Sequence, residues 1–383
     1  MRVFKMMEEQ IALSVVLPCL NEEAGLEFCL PKIHSTIKKM GVSAEVIVVD
    51  NGSTDKSSAV ALKGGARVVQ ETVPGYGAAC MKGLAEAKGT YLFLADADGS
   101  YDFEEIPNFL NGLLQGQDFV IGDRLKGKIE KGAMPWSHRH IGNPLLSSLL
   151  RLFFRTTIHD VHCGMRAIKK NAYQSLPLMT TGMEFASEMI VMALKKRLRI
   201  SELTINYHHR KGVSKLKRIS DGWRHLRFML LYKPFVLFFL PGVLLLSAGI
   251  VTFPFLYFGG LTFFRIRFYH HPMFLSSLFI IMGYQLVLFA LFAKTYAINH
   301  LGDSPVLERF YRYMNIERAC AIGLAVAALG SLIYLQIFGK WLATHLGALN
   351  ETKNALLGLT LLVLGIQTVF SAFMLSILGI KQK

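Results

Sequence analysis

Two aspartates separated by one residue, Asp96 and Asp98, follow a short hydrophobic segment with the sequence TYLFLA. The segment is typical of a buried strand, and the Asp-Ala-Asp-Gly after it is typical of a strand-end loop. Two carboxylates at this spacing can share a hard divalent cation such as Mg2+ or Mn2+, which prefers oxygen ligands. Such a cation would neutralise a diphosphate and make it a better leaving group. A capped, solvated turn is the alternative.

Two further groups of polar residues follow other predicted strands. Pro18, Asn21 and Glu22 lie at the end of ALSVVLPCL, and the hexapeptide from Asp50 to Asp55 follows EVIVVD. Each group alone is typical of a turn. At neighbouring strand ends of one parallel sheet, however, their oxygens can bind the base and ribose of a nucleotide. Together with the aspartate pair they predict a pocket for a nucleotide diphosphate.

Predicted strands and helices alternate through the first part of the chain. The strands are predicted at residues 12–20, 45–50, 66–70, 90–95 and 117–122, and the helices at 25–40, 56–64, 77–87 and 103–115, the last with Asp102 as its N-cap. This alternation predicts an α/β fold with a mostly parallel sheet covered on both faces. Ligands bind at the carboxyl ends of the strands in such sheets, where the acidic loops fall.

Four apolar segments without Asp, Glu, Lys or Arg follow Lys233, and each exceeds the roughly 20 residues that cross a bilayer. They are Pro234–Phe264, Pro272–Ala293, Ala319–Gly339 and Asn354–Ile380. The sequence therefore predicts a catalytic domain (1–214), an interfacial amphipathic helix (215–233) and a transmembrane domain of four helices (234–383). Basic residues before the first span and between the second and third predict a cytoplasmic catalytic domain and cytoplasmic termini.

The net charge of +15 is concentrated in residues 124–233, which hold 22 Lys and Arg against 6 Asp and Glu. A basic block beside membrane spans is typical of contact with anionic headgroups and can also line a phosphate pocket. No nucleic-acid-binding motif accompanies the charge, so nucleic acid is not an expected partner. The five scattered cysteines lack CxxC spacing and predict neither a disulfide framework nor a zinc site, as fits a reducing cytosol.

Six sequence segments carry a resemblance to known enzymes. LPCLNEE, VVDNGSTD and LADADGSYD, in that order, resemble the signature of inverting family 2 glycosyltransferases with the glycosyltransferase-A fold. DVHCGMRAIKK, TGMEFASEM and HHRKGVSK resemble a narrower group, the dolichyl- and polyprenyl-phosphate hexose synthases of the mannose and glucose types. The match covers about residues 10–233. It implies metal-dependent transfer of a hexose from GDP-mannose or UDP-glucose to polyprenyl or dolichyl phosphate.

The resemblance also implies roles for individual residues. They are Pro18, Asn21, Glu22 and Asp50 for the nucleoside; Asp96 and Asp98 for metal and diphosphate; Arg210 and Lys215 for the donor diphosphate; and Arg124, Arg139 and Asn143 for the acceptor phosphate. Asp98, Arg124 and Arg139 are the expected catalytic residues. Some relatives have a long amide side chain two residues after the second aspartate, whereas this chain has Ser100. A hydroxyl reaches less far, so metal ligation by Ser100 is not expected.

The acceptor's chemistry predicts the mechanism. A phosphate monoester has a second pKa near 6 and is largely a dianion at neutral pH, so a single inverting displacement needs no general base. A processive polysaccharide synthase remains an alternative, but its usual QxxRW motif is replaced here by DGWRHL. A non-enzymatic lipid carrier or flippase would need charges in its spans, and a nucleotidyl transferase would need neither basic block nor spans.

Other polar residues are expected to have structural roles. Glu184 and Glu188, four residues apart on a predicted helix, could order the basic loop, although packing or helix N-terminal charge fits them better. His159, His162 and the pair His208–His209 lack a third ligand at zinc spacing and are interpreted as non-metal residues.

Overall fold

The computed structural model describes residues 11–212, 218–259, 261–263, 266–268, 271–300 and 315–379. The chain divides into two compact units, Met1–Leu231 and Tyr232–Lys383. The division falls two residues before the boundary that the sequence predicts for the first span. Lys215, expected at the donor diphosphate, lies outside the described residues.

A seven-stranded sheet forms the centre of the first unit. Its strands are β1 Leu13–Cys19, β2 Ala44–Asp50, β3 Arg67–Gln70, β4 Tyr91–Leu94, β5 Phe119–Asp123, β6 Arg166–Lys169 and β7 Ile200–Thr204, in the order β3-β2-β1-β4-β6-β5-β7. All pairs are parallel except those that β6 makes with β4 and β5. Every residue of β1 is buried, as its apolar sequence requires. The predicted α/β fold with a mostly parallel sheet is confirmed.

Strands β6 and β7 are absent from the predictions because their sequences carry little apolar signal. β6 has four residues and includes Arg166, which is only 2 % exposed. The cost of burying its guanidinium is offset by hydrogen bonds that it donates to the carbonyls of Val161, Cys163 and Ala186 at 2.7–2.9 Å. β7 is a half-buried edge strand. β6 pairs with β4 and β5, and β7 pairs with β5, so both strands depend on partners that are distant in sequence.

Eight helices complete the described part of the first unit. They are α1 Glu23–Met40, α2 Ser57–Lys63, α3 Tyr76–Glu86, α4 Ile106–Leu114, α5 Asn143–Phe154, α6 Lys170–Gln174, α7 Phe185–Lys195 and α8 Arg218–Tyr232. A 3-10 turn, Phe103–Glu105, precedes α4, and Asp102 caps it by accepting the Glu104 N–H at 3.0 Å. The predicted N-cap is therefore confirmed. A π-helical turn, His138–Gly142, leads into α5.

The helix predicted before the first span is α8, which packs against the first unit through buried His225, Phe228 and Met229. His225 Nδ1 lies 2.9 Å from Ser187 Oγ on α7, and its ring meets the ring of His162 edge-on with 4.3 Å between centroids. Trp223 on the same helix is exposed. The interfacial role of α8 stays a prediction.

We expect the packing of α8 to weaken in acid. Burial, followed by the charge of Arg166, lowers the pKa of His225 to about 4. Burial and His225 hold the pKa of His162 well below its ordinary value, with further contributions from Arg124, Arg166 and His138. Because unfolded histidine titrates near pH 6.5, the folded state binds fewer protons. This contribution to stability is complete above about pH 6.5 and declines as the pH falls toward about 4.

In a background with Trp136→Phe and Trp341→Phe, the fluorescence of Trp223 measures this loss between about pH 7.5 and 4.5. His225→Gln keeps a donor for Ser187 and cannot be protonated, so it should flatten most of the pH dependence. An unchanged pH profile in His225→Gln would assign the transition to other groups.

The second unit contains α9 Pro234–Phe258, α10 His271–His300, α11 Ile316–Ala343 and α12 Thr352–Leu378, with a ribbon of β8 Leu261–Phe263 and β9 Ile266–Phe268. These four helices are long and apolar enough to cross a membrane, which agrees with the predicted number. Small residues allow close backbone approach: a Cβ on Gly283 would lie 2.3 Å from Leu246 N, and one on Gly365 would lie 2.4 Å from Ala327 N. Such contacts are typical of helix packing in lipid.

Candidate active site

The acidic loop after β4 holds Asp98 in a fixed orientation. Asp98 is 3 % exposed, and its Oδ1 accepts hydrogen bonds from the Ser100 N–H at 2.9 Å and the Ser100 hydroxyl at 2.5 Å. Its Oδ2 accepts a hydrogen bond from Arg210 Nη2 at 2.5 Å. Gly99 closes the turn at φ +78°, which a side chain would strain. Ser100 therefore orients Asp98 from behind, while Arg210 balances its charge.

Asp96 lies beside Asp98 and is partly exposed. The Tyr76 hydroxyl donates to Asp96 Oδ1 at 3.0 Å. A Cβ on Gly164 would lie 2.5 Å from Asp96 Oδ2, so only glycine allows that loop to approach so closely. Burial and then the charge of Asp98 raise the pKa of Asp96 to about 6, against the opposing effects of Tyr76 and the nearby arginines. A bound cation would relieve this repulsion, so the donor set fits a divalent metal.

The loops after β1 and β2 are joined by hydrogen bonds. Asn21, at φ +51°, accepts the backbone N–H groups of Thr54 at 2.7 Å and Asp55 at 3.3 Å through its side-chain oxygen. The Glu22 N–H donates to Ser57 Oγ at 2.8 Å. Pro18 is a buried residue within β1. The sequence interpretation assigned Asn21 to the nucleoside, and the structure adds that its side chain ties two loops together.

Asp50 ends β2 at the same edge of the sheet. Its carboxylate accepts hydrogen bonds from the Ser53 N–H at 2.8 Å, from the Ser58 hydroxyl, and from Gln70 Nε2 at 3.3 Å. Burial raises the pKa of Asp50, but these hydrogen bonds outweigh it and hold the pKa below its ordinary value. The carboxylate of Asp50 is thus stabilised as an anion, and its oxygens accept hydrogen bonds from the loop that follows β2 and from the end of β3.

The predicted acceptor residues do not form one group. Arg124 is 7 % exposed and pairs bidentately with Asp160, at 2.7 Å from Nε and 2.9 Å from Nη2. The charges of Arg124 and Arg210 both lower the pKa of Asp96. Arg139 is exposed in the π-helical turn, and the Asn143 amide contacts Met134 Sδ at 3.7 Å. Within the described residues, no hydrogen bond or ion pair joins Arg139 or Asn143 to the acidic loop.

Two residues that support the site were not singled out for it from sequence. Tyr76 holds Asp96, and buried Glu188 accepts hydrogen bonds from Met179 N–H, Thr180 N–H and the Thr180 hydroxyl. The loop ordered by Glu188 packs against the glycines that flank Tyr76, where a Cβ would lie 2.1–2.3 Å from carbonyl oxygens. Glu188 thus orders this loop and not a basic segment. The glycines on both sides of Tyr76 are the sequence feature that could have indicated this close packing.

A second group of ligand atoms belongs to Asp123, His159 and Glu202, all within 4.8 Å of one another. Lys126 Nζ already lies 3.3 Å from Asp123 Oδ2 and 2.9 Å from His159 Nδ1. His159 Nδ1 is also 2.8 Å from Glu202 Oε2. The ammonium of Lys126 balances part of the charge of this group, as the guanidinium of Arg210 does for Asp98. Sequence reasoning missed the group because Glu202 lies on the unpredicted β7.

The first unit is an α/β domain with acidic loops at the carboxyl ends of a mostly parallel sheet, and four helices of the chain are apolar enough to cross a membrane. Comparison with known proteins gives the family. Residues 14–176 match the family described as "Glycosyl transferase family 2", and residues 291–379 match "Glycosyltransferase family 2 C-terminal transmembrane region". The low-salt glycan biosynthesis hexosyltransferase of Haloferax volcanii is 37 % identical over 369 residues, covering 96 % of this chain and 89 % of that protein. The chain belongs to glycosyltransferase family 2 and is a hexosyltransferase.

A further relative agrees with this assignment, and a solved structure shares the fold. The dolichyl-phosphate hexose transferase of Haloferax volcanii is 32 % identical over 212 residues, covering 55 % of this chain and 89 % of the relative. A crystal structure of a mycobacterial protein is 20 % identical with a TM-score of 0.50, covering 60 % of this chain and 76 % of that chain. The latter likeness concerns the fold alone. The predicted glycosyltransferase-A-like domain followed by four apolar helices is confirmed.

Proposed function

We propose that the protein transfers one hexose from a nucleotide diphosphate sugar, of the GDP-mannose or UDP-glucose type, to polyprenyl or dolichyl phosphate. The product is a polyprenyl-phosphate-linked monosaccharide with inverted anomeric configuration. One observation carries the proposal: two adjacent carboxylates, Asp96 and Asp98, share the end of β4 with the guanidinium groups of Arg124 and Arg210. The carboxylates can hold a cation, and the guanidinium groups can bind the anionic phosphates of the two substrates.

Asp96 and Asp98 are the residues that would hold Mg2+ or Mn2+. The raised pKa of Asp96 supports this role, because a cation would stabilise both carboxylates as anions. When bound, the metal supplies charge neutralisation for the donor diphosphate and the departing nucleoside diphosphate.

The remaining residues of the site orient the two substrates. Pro18, Asn21, Glu22 and Asp50 are assigned to the nucleoside, Arg210 and Lys215 to the donor diphosphate, and Arg124, Arg139 and Asn143 to the acceptor phosphate. An oxygen of the acceptor phosphate forms a bond to the anomeric carbon as the bond from that carbon to the diphosphate oxygen breaks. The bonding electron pair leaves with the nucleoside diphosphate, and the phosphate dianion needs no general base. Arginine suits these contacts because its planar fork stays charged.

The catalytic domain and both termini are assigned to the cytoplasmic side. Support comes from the basic residues before α9 and after α10, which follow the rule that positive loops stay in the cytoplasm. Nucleotide sugars and lipid phosphate would then meet at that membrane surface.

The experiment uses membranes that contain the protein, incubated with labelled nucleotide sugars, polyprenyl phosphate, and Mg2+ or Mn2+. Label should enter a lipid with a single sugar that mild acid releases. The matched sample contains the Asp98→Asn variant and should remain unlabelled. Label in a polymer would instead identify the processive synthase, and label in neither fraction would reject both enzymes.

Arg139→Ala tests the acceptor assignment without disturbing the fold, because Arg139 is exposed and has no ion pair within the described residues. We expect the KM for lipid phosphate to rise about 10- to 100-fold through loss of a charged hydrogen bond. The KM for the donor should stay constant. Steady-state kinetics with each substrate varied measures both values, with exposed Lys131→Ala as the control. Equal changes in both KM values would place Arg139 outside the acceptor site.

A further inference from the structure

A cavity of about 260 Å³ lies at one end of the second unit, between α9, α11 and α12. It is at the end where α9 stops and α12 begins, so the length of α9 separates it from Pro234. Besides three apolar side chains, its lining contains the polar groups of Tyr257, Gln336, Lys340, Glu351 and Asn354. Polar and charged side chains that gather on such apolar helices are typical of binding sites. We call this space the polar cavity.

Hydrogen bonds fix one wall of the polar cavity. Lys340 Nζ donates to Glu351 Oε1 at 2.7 Å, and Asn354 Nδ2 donates to Glu351 Oε2. The Tyr257 hydroxyl donates to Asn354 Oδ1 at 2.6 Å. Tyr257 also packs against the apolar core of this unit. These groups are therefore held in place before any ligand binds, which lowers the free-energy cost of binding.

Gln336 is the polar group of the cavity that has no such support. Its side chain is exposed on α11, one turn before Lys340, and forms no hydrogen bond within the described residues. An amide on a spanning helix costs free energy when its carbonyl and N–H groups have no partner. A polar ligand in the cavity would provide these partners.

A second cavity, of about 280 Å³, lies beside the polar cavity and shares Ile337 with it. Its lining is apolar and includes the rings of Tyr334, Phe338 and Trp341. The ring centroids of Phe338 and Trp341 are 6.2 Å apart. Trp341 lies near the end of α11, at the depth where tryptophan is enriched in spanning helices. A polar space next to an apolar one matches a ligand with a polar head group and an apolar chain.

The polar cavity matches hydroxyl groups better than phosphate. Its amides and phenol both donate and accept hydrogen bonds, while Lys340 donates and Glu351 accepts. The hydroxyl groups of a sugar ring also donate and accept, so they can pair with every member of this set. A phosphate only accepts, and the carboxylate of Glu351 would repel its charge. The volume is below the roughly 300–1,000 Å³ that drug-sized ligands occupy, which fits a single sugar ring.

We propose that the polar cavity binds the sugar head group of a glycosylated lipid, while the neighbouring apolar cavity holds the first part of its chain. This site belongs to the second unit, whereas the acidic loop belongs to the first. A narrower statement rests on the proposed function: the polyprenyl-phosphate-linked monosaccharide is such a lipid. With the catalytic domain in the cytoplasm, the site would hold this product at the opposite face of the membrane.

Fluorescence of Trp341 measures binding in the full-length protein, in a background with Trp136→Phe and Trp223→Phe. The protein is placed in nanodiscs of phosphatidylcholine, without nucleotide sugar or divalent cation. Octyl glucoside, added below its micelle concentration, should change the emission with a saturable dependence. Octyl phosphate, which carries phosphate in place of the sugar, should not. Equal changes with both compounds, or none with octyl glucoside, would overturn the proposal.

Gln336→Leu distinguishes the site from general partitioning of octyl glucoside into the nanodisc. The fold should persist, because Gln336 has no hydrogen bond in the described part of the chain and leucine suits a spanning helix. The Kd for octyl glucoside should rise at least about 10-fold through loss of the amide's hydrogen bonds. Leu335→Ala is the control, at an exposed neighbour that lines neither cavity, and its Kd should not change. An unchanged Kd in Gln336→Leu would also overturn the proposal.

Competition tests the narrower statement. Farnesyl phosphate that carries one hexose should displace octyl glucoside, whereas farnesyl phosphate should not. Binding of octyl glucoside without this competition would reject the reaction product as the ligand. Because these titrations need no transfer, their failure is distinct from failure of the proposed function, which the labelling of lipid measures.

Discussion

Asp98→Asn is expected to lower kcat at least about a thousandfold, because it removes charge from the point where cation and diphosphate are proposed to meet. The amide has the same shape and can still accept the Ser100 hydroxyl, so the loop should keep its conformation. The ion pair with Arg210 is lost, and that arginine retains only partial compensation from Asp96. Initial rates of the purified protein, at saturating donor and acceptor, measure the effect.

Asp102→Asn is the matched control for Asp98→Asn. It lies four residues later, and asparagine caps a helical turn as well as aspartate does. Its activity should remain near that of the unmodified protein. Normal turnover by Asp98→Asn would reject the metal assignment, whereas equal losses in both variants would indicate general damage to the loop.

Arg124→Ala should be the most destabilising of the substitutions considered. Asp160 is fully buried and its carboxylate is paired with Arg124, so removal of the guanidinium leaves a buried charge without its cation. Breaking such a pair typically costs about 3–5 kcal/mol. We expect a large fall in Tm in detergent, together with loss of transfer, because Arg124 is also proposed to hold the acceptor phosphate.

The double variant Arg124→Ala with Asp160→Asn separates stability from catalysis. Neutralising Asp160 removes the unpaired charge, so thermal stability should partly return while transfer stays low. Thermal unfolding and initial rates of the single and double variants give both quantities. Recovery of activity together with stability would show that Arg124 acts only by holding the fold, and the acceptor role would be withdrawn.

The main strands were predictable because their signal is local. β1 and β2 are runs of apolar, β-branched residues that end in acidic loops, and this pattern also located Asp96 and Asp98 at a strand end. The Asp102 cap likewise depends on neighbours in sequence. Local pattern therefore gave most of the parallel sheet and the position of the acidic loop.

The side-chain partners of the site depend on contacts that are distant in sequence. β6 enters the sheet antiparallel between β4 and β5, and it brings the preceding loop, with Asp160 and Gly164, beside Arg124 and Asp96. A four-residue strand that contains a buried arginine has no apolar pattern from which to predict this arrangement. The pairing of Arg124 with Asp160, across 36 residues, was unpredictable for the same reason.

The hydrogen bond from Ser100 to Asp98 also changes how the serine at position 100 is interpreted. Relatives with a longer amide at this position suggested a missing metal ligand, but the buried Ser100 hydroxyl donates to Asp98. Its effect on the site is therefore exerted through the orientation of that carboxylate.

Phosphorus NMR of the lipid product tests hexose transfer to a lipid phosphate most directly. Purified protein, a divalent cation and the preferred nucleotide sugar should convert the monoester resonance of polyprenyl phosphate into that of a phosphodiester. Proton spectra of the same lipid should contain one hexose whose anomeric configuration is opposite to that of the donor. If the monoester resonance persists while nucleotide sugar is consumed, or if the hexose keeps the donor's configuration, the proposed reaction is contradicted.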